Sequence, residues 1–192
     1  PQHLTICATE TVANYLLPKA LAKVLAAQPA LRVSVEMLGA DDAVARLLAD
    51  RADLAIVPLP VVDGRLEVEQ LLAEEILLAL PASHPLADEH GPVPLGVALS
   101  DPALLLPMRG HGLRTTIEQA AAEQGIQLRG RLELRSQPAL LAMVAAGTGI
   151  GFAPRIAAAG QRSIAARPTE PSLHREVGWV RRRGRHLPSA AF

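Results

Sequence analysis

Aromatic side chains make up only 2% of this 192-residue sequence: two Phe, one Trp and one Tyr. With so few rings, stacking cannot be the main binding device, which argues against a single-strand nucleic-acid platform and an aromatic-lined pocket. Cysteine is nearly absent as well. The lone Cys7 excludes an internal disulfide and leaves no Cys cluster for zinc. No uninterrupted apolar run reaches the roughly eighteen residues a membrane span needs, so no membrane partner is expected. The chain begins Pro1-Gln2-His3, without Met and without a basic-then-apolar signal, and reads as a piece of a longer protein. The cytoplasm fits these features best, although mature secreted proteins can also lack cysteine.

What is present is a globular composition, 49% apolar and 20% charged, enough for one domain or two small lobes. The net charge of zero hides an asymmetry: residues 1–96 carry −7 and residues 97–192 carry +7. Such a split invites a nucleic-acid reading of the basic half. Its sharpest cluster is Arg181-Arg182-Arg183-Gly184-Arg185. Basic runs hold phosphates, but a solvated strand end is the commoner identity without interleaved aromatics, and no helix-turn-helix pattern precedes this one.

Periodicity supplies the chain path. Leu4 to Ala8 reads as a buried strand, followed by Thr9-Glu10-Thr11 and a helix carrying Leu16, Leu17, Ala20, Leu21, Val24 and Leu25, ended by Pro29. Leu31, Val33, Val35 and Met37 alternate with polar residues as in a half-buried strand. Asp41 or Asp42 is placed to cap a helix with Val44, Leu47 and Leu48, and 53–57 forms the next buried strand. Strand-helix-strand-helix-strand with short connections predicts a parallel sheet covered by helices.

A second unit is predicted with a strand over 74–80, a loop over 81–94, and a strand over 103–106. The turn Arg109-Gly110-His111-Gly112 then leads to a helix over 113–124 and a strand over 128–135. After them come a helix over 138–146 capped by Ser136, a strand over 150–153 and a last strand over 175–180. A terminal helix is predicted to start at Pro188-Ser189-Ala190.

Catalytic signatures are missing. The six histidines fall in termini and predicted loops without metal-ligand spacing, no Gly-x-Ser-x-Gly elbow occurs, and Cys7 lies in an apolar strand, where an inert thiol is the expected state. Asp41-Asp42 and Glu74-Glu75 are adjacent, so their side chains diverge. Gly147-Thr148-Gly149-Ile150-Gly151 follows a helix and precedes a strand, the reverse of a phosphate-binding loop; helix termination and close packing explain its glycines better. No cofactor and no metal are expected.

Three places have the strand-to-helix polarity that suits a small anion: Thr9-Glu10-Thr11, Arg109-Gly110-His111-Gly112 with Arg114, and Ser136-Gln137. Helix starts after parallel strands share one edge and offer free N–H groups. The plainer reading is that Thr9 and Ser136 only cap helices and that Arg114 is a solvated helix residue. Glu10 counts against an anion, since its own carboxylate would satisfy the helix start.

Taken together, several stretches resemble the effector-binding domain of LysR-type transcriptional regulators. These are Cys7-Ala8-Thr9-Glu10-Thr11 with Tyr15-Leu16-Leu17-Pro18, Gln28-Pro29, Asp53-Leu54-Ala55-Ile56, His84-Pro85-Leu86, and the run from Met143 through Gly147-Thr148-Gly149-Ile150-Gly151-Phe152-Ala153-Pro154. Order and spacing agree over essentially the whole chain. The opening is similar to regulators of carbon fixation and of sulfur or selenium assimilation.

The resemblance implies an α/β fold of two Rossmann-like lobes of the type 2 periplasmic-binding-protein kind, joined by two crossovers, with lobe one at 1–73 and 169–192 and lobe two at 74–168. It implies a small effector, anionic or a carboxylate, bound in the cleft between lobes. The matching contacts are Thr9, Glu10 and Thr11; Gly39, Ala40 and Pro58; Met108, Arg109, Gly110 and His111; Ser136 and Gln137; and Phe152, the aromatic nearest these segments. Where relatives often offer Ser or Thr after the second strand, this chain has Gly39-Ala40-Asp41. The implied assembly is a homodimer or tetramer, with DNA contacted only through an N-terminal winged helix-turn-helix outside this chain, and no enzyme activity. A secreted solute-binding protein of a transporter is the alternative on the same fold, and an enzyme built on it is a third reading.

Overall fold

Leu4, Ile6 and Ala8 alternate with Thr5 and Cys7, and this makes β1 (His3–Ala8) a strand with two buried faces. The computed structural model describes residues 3–184. The chain folds as two units, residues 1–73 with 176–192 and residues 74–175.

In the first unit the helix expected after β1 is two helices, α1 (Glu10–Tyr15) and α2 (Leu17–Ala27). They divide at Leu16 because Pro18, second in α2, has no N–H to give the preceding turn. The strand β2 (Arg32–Met37) pairs parallel with β1, and β3 (Leu54–Pro58) pairs parallel with β1 on its other side. Between them α3 (Ala40–Leu48) starts from Gly39, not from a capping aspartate; Asp41 and Asp42 lie within its first turn, where carboxylates meet the positive helix end.

Leu4, Ile6, Val12, Leu17 and Ile56 form the core on the α1/α2 side, and Cys7, Ala43, Leu47, Ala55 and Val57 the core on the α3 side. The half-buried face expected of β2 is not realised. Val35 is 40% and Met37 60% exposed, because β2 is the edge strand and its outer residues pass beyond the helix cover.

The fourth strand, β4 (Leu66–Pro81), begins eight residues before the predicted start at 74, since its first half is largely exposed and carries no buried alternation. In the second unit, a turn at Pro85–Ala87 precedes β5 (Val93–Pro94) and α4 (Leu95–Leu99). Then follow β6 (Leu104–Pro107), α5 (Gly112–Glu123), β7 (Leu132–Leu134) and α6 (Gln137–Ala145). The chain continues through β8 (Ile150–Pro154), α7 (Arg155–Ala158), β9 (Ile164–Arg167) and β10 (Thr169–Glu170). Strand β6 lies parallel to β7 and β8, while β8 and β9 run antiparallel to β4. Only three of the eight residues expected in β7 pair with β6. Ile76, Leu78, Leu80, Leu104, Leu106, Ile117, Ile150 and Phe152 make this unit's core.

The last strand, β11 (Leu173–Arg182), leaves the second unit and pairs antiparallel with β3, Val177 opposite Pro58. Residues 169–175, expected with the first lobe, group with the second unit. Two contacts hold them there: β10 pairs with β5, and Arg175 forms a buried ion pair with Glu74, Nε to Oε1 at 2.8 Å, both side chains 8% exposed. Glu74 Oε2 also accepts from the Ile156 amide at 3.0 Å. The predicted helix at 188–190 lies outside the described residues.

The glycines after α6 are explained by backbone geometry and close packing. Gly147 has φ +78°, the left-handed turn that ends a helix, and a Cβ on Gly149 would lie 2.0 Å from the Ala103 carbonyl oxygen. Gly149→Ala must therefore move backbone, and a loss of about 1–3 kcal/mol is expected in urea unfolding. Gly64→Ala, where a Cβ meets nothing within 4 Å, is the control, with a change of no more than about 0.5 kcal/mol.

Candidate functional site

Parallel strands deliver their exits to one edge. In the first unit Ala8 lies opposite Met37 and Ile56, Leu38 donates its N–H to the Ala8 carbonyl at 3.0 Å, and Thr9 donates its own to Ile56 at 3.3 Å. Thr9 and Gly39 with Ala40 therefore follow two neighbouring strand ends, and Pro58 is itself the last residue of the third. Gly39 is exposed and Ala40 and Pro58 are half-buried.

Thr9 occupies the N-cap position of α1 with extended backbone, and its carbonyl accepts from Ala13 at 2.9 Å, yet its side chain does not cap the helix. Its Oγ1 is buried without a hydrogen-bond partner among the described residues. Such a hydroxyl is an exception in folded proteins and costs about 1–3 kcal/mol of desolvation. Thr11 is 2% exposed. Glu10 opens α1, and burial, with the Glu10 carboxylate second, pushes the Tyr15 phenol up.

The second unit repeats the arrangement. Pro107 lies opposite Leu134, and the Met108 amide donates to the Leu134 carbonyl at 2.8 Å, so the turns after β6 and β7 leave side by side. Gly110, at φ +85°, lets residues 108–111 turn tightly into α5. His111 is the N-cap, its Nδ1 accepting from the Leu113 amide at 3.3 Å. Ser136 caps α6 as expected, its Oγ accepting from Ala139 at 3.4 Å.

Gln137 is 1% exposed and donates from Nε2 to the Phe152 carbonyl at 2.9 Å. Phe152 itself corrects the sequence reading: its ring is fully buried in the second unit's core, so it serves packing. Met108 is 40% exposed and the Arg109 side chain 81%.

Arg114, read as a solvated helix residue or an anion contact, is neither: its side chain is 5% exposed. It donates from Nε to Glu118 Oε1 at 2.8 Å, and from Nη1 to Glu133 Oε1 and the Pro107 carbonyl, both at 2.9 Å. Burial opposes its charge, but hydrogen bonds to Glu133 and Glu118 outweigh that and raise its pKa above the ordinary arginine value. The four-residue spacing from Arg114 to Glu118 was visible in the sequence; the partner on β7 was not.

Two arginines of the basic run meet carboxylates, and Arg185 lies outside the described residues. Arg181 pairs with Glu67 at 2.6 Å and stacks 5.2 Å over Trp179, Arg182 pairs with Asp50, and Arg183 donates to the Gly64 carbonyl at 3.0 Å. With the observed bounds, the first unit has ten basic and ten acidic residues and the second nine and nine. No group of three or more His, Cys, Asp or Glu able to hold a metal occurs among the described residues. None of the described helices is long and apolar enough to cross a membrane.

The family model for the LysR substrate binding domain matches residues 1–191, and the chain belongs to that family. Among curated relatives, a probable nitrogen assimilation transcriptional activator of Synechococcus elongatus is 30% identical over 92% of this chain and 59% of its own length. The HTH-type transcriptional regulator CysL of Bacillus subtilis is 24% identical over 79% of this chain and 50% of its own. This chain thus spans about half to six-tenths of these relatives.

Among solved structures, a full-length OxyR variant of Pseudomonas aeruginosa superposes with a TM-score of 0.89 at 24% identity, covering 99% of this chain and 66% of that one. The Synechocystis CcmR regulatory domain in complex with 2-PG gives 0.87 at 22% identity, covering 98% and 91%. The fold is that of the type 2 periplasmic-binding-protein-like regulatory domains.

Thr9→Val keeps the side-chain shape and removes the unpartnered hydroxyl. The expected outcome is unchanged stability or a gain of about 1 kcal/mol in urea unfolding; a loss larger than that would show the hydroxyl to be satisfied in the unliganded protein.

Proposed function

We propose that this chain is the ligand-sensing and dimerisation domain of a LysR-type transcriptional regulator in the cytoplasm, without enzyme activity. In the whole protein, DNA is contacted by a winged helix-turn-helix outside this chain. The ligand is a small anion or carboxylate; the candidate contacts are Thr9 and Thr11 in the first unit and, in the second, the 108–111 turn, Ser136 and Gln137. Gly39, Ala40 and Pro58 supply backbone at the same edge as Thr9. Family membership supports the sensing role.

The single observation behind the ligand class is the buried Thr9 hydroxyl, placed at a helix start and making no bond there. A ligand oxygen accepting from it would recover the desolvation cost, and a positive helix end favours an anionic acceptor. Glu10 opposes a highly charged ligand, which favours one bearing its own hydroxyl or amide donor beside the acid group. Signalling then requires that the ligand bind two states of the domain with different affinities.

The one thiol of this chain gives no support to a thiol-based reading. Cys7 is the single cysteine, fully buried, and burial, with Glu36 second, pushes its thiol up despite the opposing charge of Arg46. Alkylation of native protein by iodoacetamide at pH 8 is expected to be far slower than in urea; equal rates would reopen a thiol-based reading.

The ligand class is tested by thermal-shift screening with inorganic oxyanions and small organic acids, 2-PG among them. A true ligand at a hundred times its Kd stabilises by about 2.7 kcal/mol. Stabilisation by cationic or neutral apolar compounds alone would overturn the reading. Thr11→Val is expected to weaken binding about tenfold, the loss of one good hydrogen bond, with Thr11→Ser, which keeps the hydroxyl, binding as wild type.

A further inference from the structure

The first turn of α5 holds a residue of the wrong charge. Arg114 is the third residue of that helix, where the amide dipoles already present positive charge, and it is buried. A cation in that position is retained only if its partners compensate, and here they come from three elements. Glu118 is on α5 itself, Glu133 is on β7, and the Pro107 carbonyl is the last of β6. A lysine could not reproduce this, because the contacts use the planar fork of the guanidinium at two separate nitrogens.

The 108–111 turn springs from Pro107 and ends at the helix that carries Arg114. Arg109, within the turn, lies with Nε 3.8 Å from the same Glu118 oxygen that Arg114 holds at 2.8 Å. That second contact is outside hydrogen-bond range, and exposed pairs of this kind contribute little. Because Arg114 stays hydrogen-bonded to Glu118, Arg109 can leave without stripping that carboxylate of its partner.

We infer that Arg114 is the positioning residue of the 108–111 turn, fixing where the turn leaves the sheet and leaving Arg109 as its exchangeable cation. This rests on the reading of that turn as part of the ligand site, but the positioning itself is a property of the free protein. It has two consequences: the turn is held rigid before any ligand arrives, and an anion that draws Arg109 away leaves Glu118 still hydrogen-bonded to Arg114.

Hydrogen exchange on the 1–192 chain tests the first. In Arg114→Lys, exchange of the Met108, His111 and Leu113 amides is expected to rise roughly tenfold or more, while Leu140, Phe152 and the first unit's β1 amides stay within about twofold of wild type. Glu133→Gln, which removes one partner of a half-exposed pair, folds more securely and is expected to give the same local pattern at smaller amplitude. Unchanged turn amides in both variants, or equal acceleration throughout the second unit, would overturn the assignment; the latter marks Arg114 as structural only.

Titration with 2-PG and inorganic phosphate is the second arm. If wild type binds either probe, Glu133→Gln is expected to weaken it several-fold at unchanged melting temperature, and Arg109→Gln to weaken it roughly tenfold. Binding left unaltered by both variants would overturn the role of Arg109. If wild type binds neither probe, it is the anion reading of the site that fails, and the exchange pattern still decides the positioning role.

Discussion

A parallel strand pair sends both of its exits to the same edge, and each unit of this protein is organised by that constraint. In the first unit β1 stands between β2 and β3, and its last carbonyl and the next amide are tied to both neighbours through Leu38 and Ile56. In the second, the Met108 amide does the same service between β6 and β7. Helices follow β1, β2, β6 and β7, so their unbonded first-turn amides gather where those strands end. The two units then diverge. His111 and Ser136 cap their own helices, whereas Thr9 leaves its hydroxyl unspent.

Most of the first unit was legible because burial is periodic there. Leu4, Ile6 and Ala8 declare β1, and Leu47 with Val44 and Leu48 declares α3. Reading failed where tertiary position overrides pattern. Val35 and Met37 alternate like a covered strand but lie on an edge, and the exposed first half of β4 has no pattern to read. The split of α1 from α2 was written in Pro18, yet the apolar spacing ran on through it.

The candidate site was legible in its hydroxyls and turns, because Thr9, His111 and Ser136 sit at points of strand-to-helix polarity that sequence alone can locate. Its supports were not. Arg114 with Glu133, Arg167 with the carbonyls of Leu86 and Gly91, and Arg175 with Glu74 each join segments far apart in the chain. Nothing in the local sequence distinguishes these buried guanidinia from the exposed side chain of Arg109. The early imbalance of charge between the two halves of the chain was likewise an artefact of cutting it at the midpoint. The terminal basic strand belongs with the acidic opening, and each unit is neutral by itself.

The ion pair of Glu74 with Arg175 joins the first and last residues of the second unit. An inserted segment whose ends are clasped to each other imposes little on the chain it interrupts. The clasp lies within β4 and β11, the two strands that run from one unit into the other, so it fixes the spacing of the two chain crossings at that point.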